Sequence, residues 1–207
     1  MKTWSEFYDF ALPDLPGCPI AALDIALRQS AIEFCEQSLA WKAAHDPIAV
    51  VSGTAEYDFV PPAEALVHAI TYAQFDDDEI QVTGETGILI QNWRTGSGTP
   101  KYILGGATAL TLVPEPDVDG TLTMTVALKP SPDATGIDDS IFNEFRDVIV
   151  HGALSKLMLS PKKPYSDPQL ATYHAQQFTI KTGAAGMRSA RNHTRMPLRT
   201  AILSRGR

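Results

Sequence analysis

The chain has 207 residues, of which 44% are hydrophobic and 20% charged, and its 24 acidic residues outnumber 17 Lys and Arg for a net charge of −7. That length suits one sizeable domain or two layers sharing a core, and the acidic balance excludes a body that wraps nucleic acid, which needs a basic face. Two cysteines are too few for a disulfide framework, so Cys18 and Cys35 are read as thiols, the second in a core. Met1 is followed by polar and acidic residues, and no segment has the unbroken apolar length of a membrane span. A soluble protein from a reducing cytoplasm, without signal peptide or membrane partner, is expected.

The first nineteen residues are rich in turns, with Trp4, Phe7, Tyr8 and Phe10 as packing anchors. Helical periodicity starts at Ile20, where Leu23, Leu27, Ala31, Phe34 and Trp41 continue one apolar stripe. Ile25, Ile32 and Leu39 form a second stripe at seven-residue spacing. Asp46-Pro47 predicts a helix end near His45.

From Ile48 to Pro130 the period becomes two. Short strands are predicted at Ala49–Val51, Tyr57–Phe59, Leu66–Phe75, Ile88–Trp93, Tyr102–Leu104, Ala109–Val113 and Leu122–Leu128, separated by Gly, Pro and Asp turns. No long helix divides them, so an antiparallel sandwich or rolled sheet is expected rather than a doubly wound one. Asp138-Asp139 opens the next helix, with Ile141, Phe145, Val148 and Gly152 on one face. Gly152 predicts a close backbone approach. Asp167-Pro168 caps a last helix through His174 and Phe178, and past Gly183 the pattern dissolves into small and basic residues. The fold class is therefore α+β: a helical bundle with an inserted antiparallel β-sandwich-like domain and an extended basic C-terminal arm. The boundaries fall at residues 1–47, 48–132, 133–182 and 183–207.

Motifs for chemistry are sparse. His45, His68, His151, His174 and His193 lack the helical or Cys-x-x-Cys spacing of metal ligands, and His151 alone stands out as an interface group. Asp76–Glu79 lacks the ligand ladder of a calcium loop, Gly96–Pro100 lacks the Gly-Lys-Ser/Thr ending of a phosphate loop, and no Ser, His and acid suggest a triad. No catalytic residue, cofactor or metal is expected. From Ile180 to Arg207 there are seven basic residues and no acid, whereas the preceding part holds ten basic and twenty-four acidic ones. A disordered solubilising tail is one reading of that stretch. The other is an arm lying in an acidic groove of a partner, or entering a channel that carries nucleic acid. Arg188, Arg191, Arg195, Arg199 and Arg205 supply charge, while Leu198, Ile202 and Leu203 supply apolar anchors that a purely electrostatic tail does not need.

Several stretches in order carry a resemblance. They are Phe34-Cys35-Glu36-Gln37-Ser38, Tyr57 through Phe59-Val60-Pro61-Pro62, Gly98-Thr99-Pro100-Lys101-Tyr102, Leu110 to Pro116, Leu128-Lys129-Pro130, Ile149 to Leu154, and Pro164-Tyr165-Ser166-Asp167-Pro168. Over residues 20–178 the chain resembles the head-to-tail adaptor, or connector, proteins of tailed bacteriophages. The resemblance implies a non-enzymatic virion protein of the neck, assembled in the bacterial host cytoplasm. It implies a homo-oligomeric ring, expected to be dodecameric, that joins the portal to a tail tube or nozzle protein and lets DNA pass without specific binding. The arm would dock on the portal, and Ile25, Ile32, Leu39 and His151 are candidate subunit contacts. The alternative is a carbohydrate- or surface-binding β-sandwich module of a virion, with Tyr72, Trp93 and Tyr102 as a stacking platform.

Overall fold

The computed structural model describes residues 1–90, 93 and 96–191. In chain order the elements are β1 (Lys2–Thr3), α1 (Tyr8–Ala11), α2 (Ile20–Ser38), β2 (Lys42–Val50), β3 (Glu56–Asp58), β4 (Ala65–Phe75), β5 (Asp78–Glu79), β6 (Gln81–Val82), β7 (Tyr102–Gly105), β8 (Ala109–Val113), β9 (Gly120–Pro130), β10 (Gly136–Ile137), α3 (Asp139–Met158) and α4 (Pro168–Ala190). The helices α2, α3 and α4 pack together, and the chain between α2 and α3 forms two four-stranded sheets, ordered β2-β9-β4-β5 and β3-β8-β7-β6. Pairing is antiparallel throughout both sheets except between β6 and β7. The expected α+β architecture is what the structure has.

Strand β9 carries the expected alternation: Leu122, Met124, Val126 and Leu128 are buried while Thr123 and Thr125 are half-buried. Alternation stops at Ala127, which is also buried, because α2 packs on that end of the strand. The two layers are tied there by Lys129, whose ammonium donates to Glu36 of α2. Ile70 of β4 lies against Gly105 of β7, so the two sheets share an apolar interior. The start of the chain closes the construction: Lys2–Thr3 pairs with Gly136–Ile137, and the Trp4 indole donates to the Ala134 carbonyl at 2.7 Å.

Two helix ends differ from the expectation. Helix α2 stops at Ser38, well short of His45. Leu39 takes a left-handed conformation with φ 50°, its N–H donates to the Cys35 carbonyl, and the Ser38 hydroxyl turns back onto the Phe34 carbonyl. Trp41 therefore lies beyond the helix, Leu39 leaves the Ile25–Ile32 stripe, and His45 belongs to β2. Because β2 is an edge strand it tolerates Pro47, where a register shift interrupts its ladder with β9. At the other end, α4 runs through Gly183 to Ala190. Thr182, Ala185 and Ser189 are buried, and a Cβ on Gly186 would lie 3.6 Å from the Ser38 Cα, so the small residues mark packing against α2 rather than loss of helix. The stretch read as a strand at Ile88–Trp93 starts irregularly after a 3-10 turn at Glu85–Gly87, and Gln91 and Asn92 lie outside the described residues.

The caps of the other helices are where the sequence puts them. The Asp138 carboxylate accepts from the Ser140 N–H, and that of Asp167 accepts from the N–H groups of Gln169 and Leu170. The close approach at Gly152 is present as well: a Cβ there would lie 2.8 Å from both the Phe178 ring and the Ser30 Cβ. Gly152→Val adds a branched side chain where α2, α3 and α4 meet, offset by only about 0.3 kcal/mol of helix propensity. Chemical denaturation should show a loss of about 2–3 kcal/mol.

Candidate functional site

Helix α4 is apolar on two opposite sides. Its inner side, Ala171, His174, Phe178, Thr182, Ala185 and Ser189, is buried against the bundle. Its outer side exposes Leu170, Tyr173, Ile180 and Met187. The three- and seven-residue steps between these four put them on one stripe.

Between α3 and α4 sits a cluster of nitrogen groups. His151 Nδ1 is 2.8 Å from His174 Nδ1, and Lys181 Nζ is 2.9 Å from His151 Nε2. An ammonium has only donors, so Lys181 makes His151 Nε2 an acceptor and leaves the proton on Nδ1. His151 Nδ1 then donates to His174 Nδ1, which must carry its own proton on Nε2. The geometry thus suits two neutral imidazoles. Burial holds His151 below the ordinary imidazole pKa, helped by the positive charge of Lys181 and by His174 and opposed by Asp147 and Asp14. Burial also lowers His174, again opposed by Asp14. Tyr173 stands edge-on to both rings. No metal is implied: among the described residues, no group of three or more His, Cys, Asp or Glu is placed to hold one.

Sequence spacing missed this pair because its members are 23 residues apart on different helices. The available signal was Gly152 beside His151, with His174 one turn before Phe178. The other candidate residues fall in different places. Ile25 is exposed, whereas Ile32 and Leu39 are half-buried, and the Leu39 carbonyl accepts from the Ser189 hydroxyl at 2.6 Å. Arg188 ends α4 with its guanidinium 3.2 Å from Glu144 of α3 and above the Phe145 ring. Arg191 follows in the closing turn, where its N–H donates to the Arg188 carbonyl. Arg195, Leu198, Arg199, Ile202, Leu203 and Arg205, like His193, lie outside the described residues. Of the aromatic platform, Tyr72 is on β4 of one sheet and Tyr102 on β7 of the other. No helix among the described residues is long and apolar enough to cross a membrane.

A family model described as SU10 adaptor protein matches residues 3–201, nearly the whole chain. No curated protein matches it. The chain belongs to the SU10 adaptor family. It is a structural protein of the virion, a head-tail adaptor linking portal and tail components, and not an enzyme.

The imidazole cluster makes stability depend on pH in one direction. In the unfolded chain each imidazole takes its proton near 6.5, whereas in the fold both take it only at lower pH. The cluster's contribution is complete above that value and is lost as pH falls through the lowered folded pKa values. Protonation also sets N–H against N–H between the rings, and N–H against the Lys181 ammonium. Denaturant midpoints should fall from pH 7 toward pH 5, and the double substitution His151→Gln, His174→Gln should flatten that fall. An unchanged slope would mean that these rings do not control it.

Proposed function

We propose, with the adaptor role as premise, that copies of this chain close into a dodecameric ring beneath the portal. The ring extends the DNA channel toward a tail tube or nozzle protein, and the basic C-terminal end docks on the portal. The observation that carries the docking reading is a charge boundary. Asp167, the N-cap of α4, is the last acidic residue of the chain, and only basic charge follows from Pro168 to Arg207. A segment of one sign is steered by an oppositely charged groove, and Leu198, Ile202 and Leu203 would supply the desolvated anchors that hold it.

The acidic remainder supports the channel reading. Acidic groups facing a lumen would repel phosphate, so DNA would slide without being held. The parts then divide the work: the helical layer and its basic end engage the portal, and the sheets face the tail. Assembly takes place in the bacterial host cytoplasm, where the free thiols of Cys18 and Cys35 remain reduced.

The helix boundary makes a clean test available. Truncation after Arg191 keeps α4 whole, including the Arg188–Glu144 pair and the Ser189 hydrogen bond. The truncated chain should keep its thermal melt yet lose binding to purified portal by on the order of a hundredfold, the scale of losing several anchors. Binding of the full chain should also weaken with added salt. Undiminished portal binding by the truncated chain would remove the basic end from the docking role.

A further inference from the structure

We infer that α4 is a strap: in the free chain it comes off α2 and α3 and unfolds as one unit, hinged at Asp167-Pro168, while the rest of the fold stays closed. The inference deepens the docking reading, because the unit that opens is the one that carries the basic end, and its functional meaning rests on that reading.

The seat of α4 is poor in what holds a helix. Over its 23 residues, Pro168–Ala190, the buried side chains are Ala171, His174, Phe178, Thr182, Ala185 and Ser189, and of these Phe178 alone is large and apolar. Helix α3, with 20 residues, buries Ile141, Phe142, Ile149, Leu154, Leu157 and Met158 among others. Removing apolar area from water is the main favourable term in folding, and α4 supplies little of it. It turns more apolar bulk outward than inward, with Leu170, Tyr173, Ile180 and Met187 all exposed. The close approach of Gly186 to Ser38 does not make up for this, because two small residues cover little apolar area.

Polar groups in the seat act in the same direction. Ser30 Oγ of α2 and Thr182 Oγ1 of α4 are buried, and neither has a hydrogen-bond partner among the described residues. A buried hydroxyl without a partner carries a cost that opening to water removes. What fastens α4 is hydrogen bonding: Lys181 to His151, His151 to His174, Ser189 to the Leu39 carbonyl and Lys42 to the Ser189 carbonyl, with the exposed Arg188–Glu144 pair beside them. Bonds to water replace most of that on opening, and an exposed ion pair adds little. These contacts place α4 while it is seated more than they keep it there. Once off, it does not last as a helix. Gly183, Gly186, Thr172, Thr179, Ile180 and Thr182 lower its own propensity, and packing supplies most of the stability of a helix in a protein.

The linker before α4 sets the hinge. Tyr165 is buried, Pro164 would lie 3.9 Å from a Cβ on Gly17, and the Asp167 N–H donates to the Met158 carbonyl at 3.0 Å. The chain up to Asp167 is therefore held without help from α4. Asp167 is also the last acidic residue of the chain. The helix with the thinnest seat and the stretch of purely basic charge thus begin at the same point, and opening frees both together.

The test is native-state hydrogen exchange of the full-length free chain near pH 7. Portal is absent, so the result is separate from portal binding by the truncated chain. Amides of residues 172–190 should exchange together, on the order of a hundredfold faster than those of residues 145–158, with rates that change little in low denaturant. Ile103→Val, within the sheets, should speed exchange in α3 and β9 about fivefold and leave α4 unmoved, because the opened state keeps the sheets folded. Amides of α4 as slow as those of α3, or sped by Ile103→Val to the same extent, would show that α4 opens only with the whole fold and would overturn the inference. Rates that fall steadily from Ala190 inward would show fraying from the end instead of a unit, and would overturn it too.

Discussion

The contact at Gly152 sets the spacing on which the helical layer depends. Ser30 of α2 and Phe178 of α4 come as close to that residue as its missing side chain permits. A bulkier residue would push both helices outward at one place, and packed interiors do not absorb such a push locally. His151, next in sequence, owes its contacts to the same approach: α4 must be this near for His174 and Lys181 to reach opposite nitrogens of one ring. Farther along, Gly186 permits a second approach, to the end of α2, so α4 is held at two glycine contacts, one on each neighbour.

The sheets are built into this layer. Strand β9 is buried on its helical side at Ala127, Lys129 reaches Glu36, and Lys156 of α3 reaches Glu33 on the same helix. The first residues of the chain pair with the last residues of the β region, and Tyr8 donates to Asp24 at 2.7 Å. Burial, and after it the hydrogen bond to that carboxylate, push the Tyr8 phenol up to about 12, so it stays a donor at any physiological pH. Core residues from both layers join one apolar cluster, running from Leu23 and Phe34 of α2 to Leu122 and Leu128 of β9 and Ile103 of β7. A fold joined this way presents its helical and sheet ends as one rigid piece, which suits a part that must pass position from one neighbour to another.

Much of this was legible in the sequence wherever a local rule decides the outcome. Asp138 and Asp167 announce caps because few other residues satisfy exposed N–H groups at a helix start. Leu122 to Leu128 alternates because one face of β9 must be dry. Gly152 stands out because a glycine inside a helix has a cost that packing has to offset. Where neighbours distant in sequence decide, the reading failed. Leu39 ends α2 without the glycine that usually takes a left-handed turn, and the Ser189 hydroxyl that meets its carbonyl is 150 residues away. Lys42 to Pro47 lacks the alternation of a strand because β2 is an edge. Gly183 and Gly186 look like a helix coming apart, yet one opens the outer face of α4 and the other fits the inner one. The histidine pair is invisible to any one-dimensional spacing rule.

The corner where α2 gives way to β2 also has a mechanical side. Ser189 donates to the Leu39 carbonyl, and the Lys42 ammonium donates to the Ser189 carbonyl at 2.9 Å, so the last turn of α4 is fastened to the hinge between the helices and the sheets. Tension drawn along the chain past Arg191 would therefore not simply peel α4 from its end. It would pass through Ser189 into the backbone at Leu39 and the side chain of Lys42, and from there into β2 and its ladder with β9. A pull at one end of this protein would be shared by both layers before any helix begins to unwind.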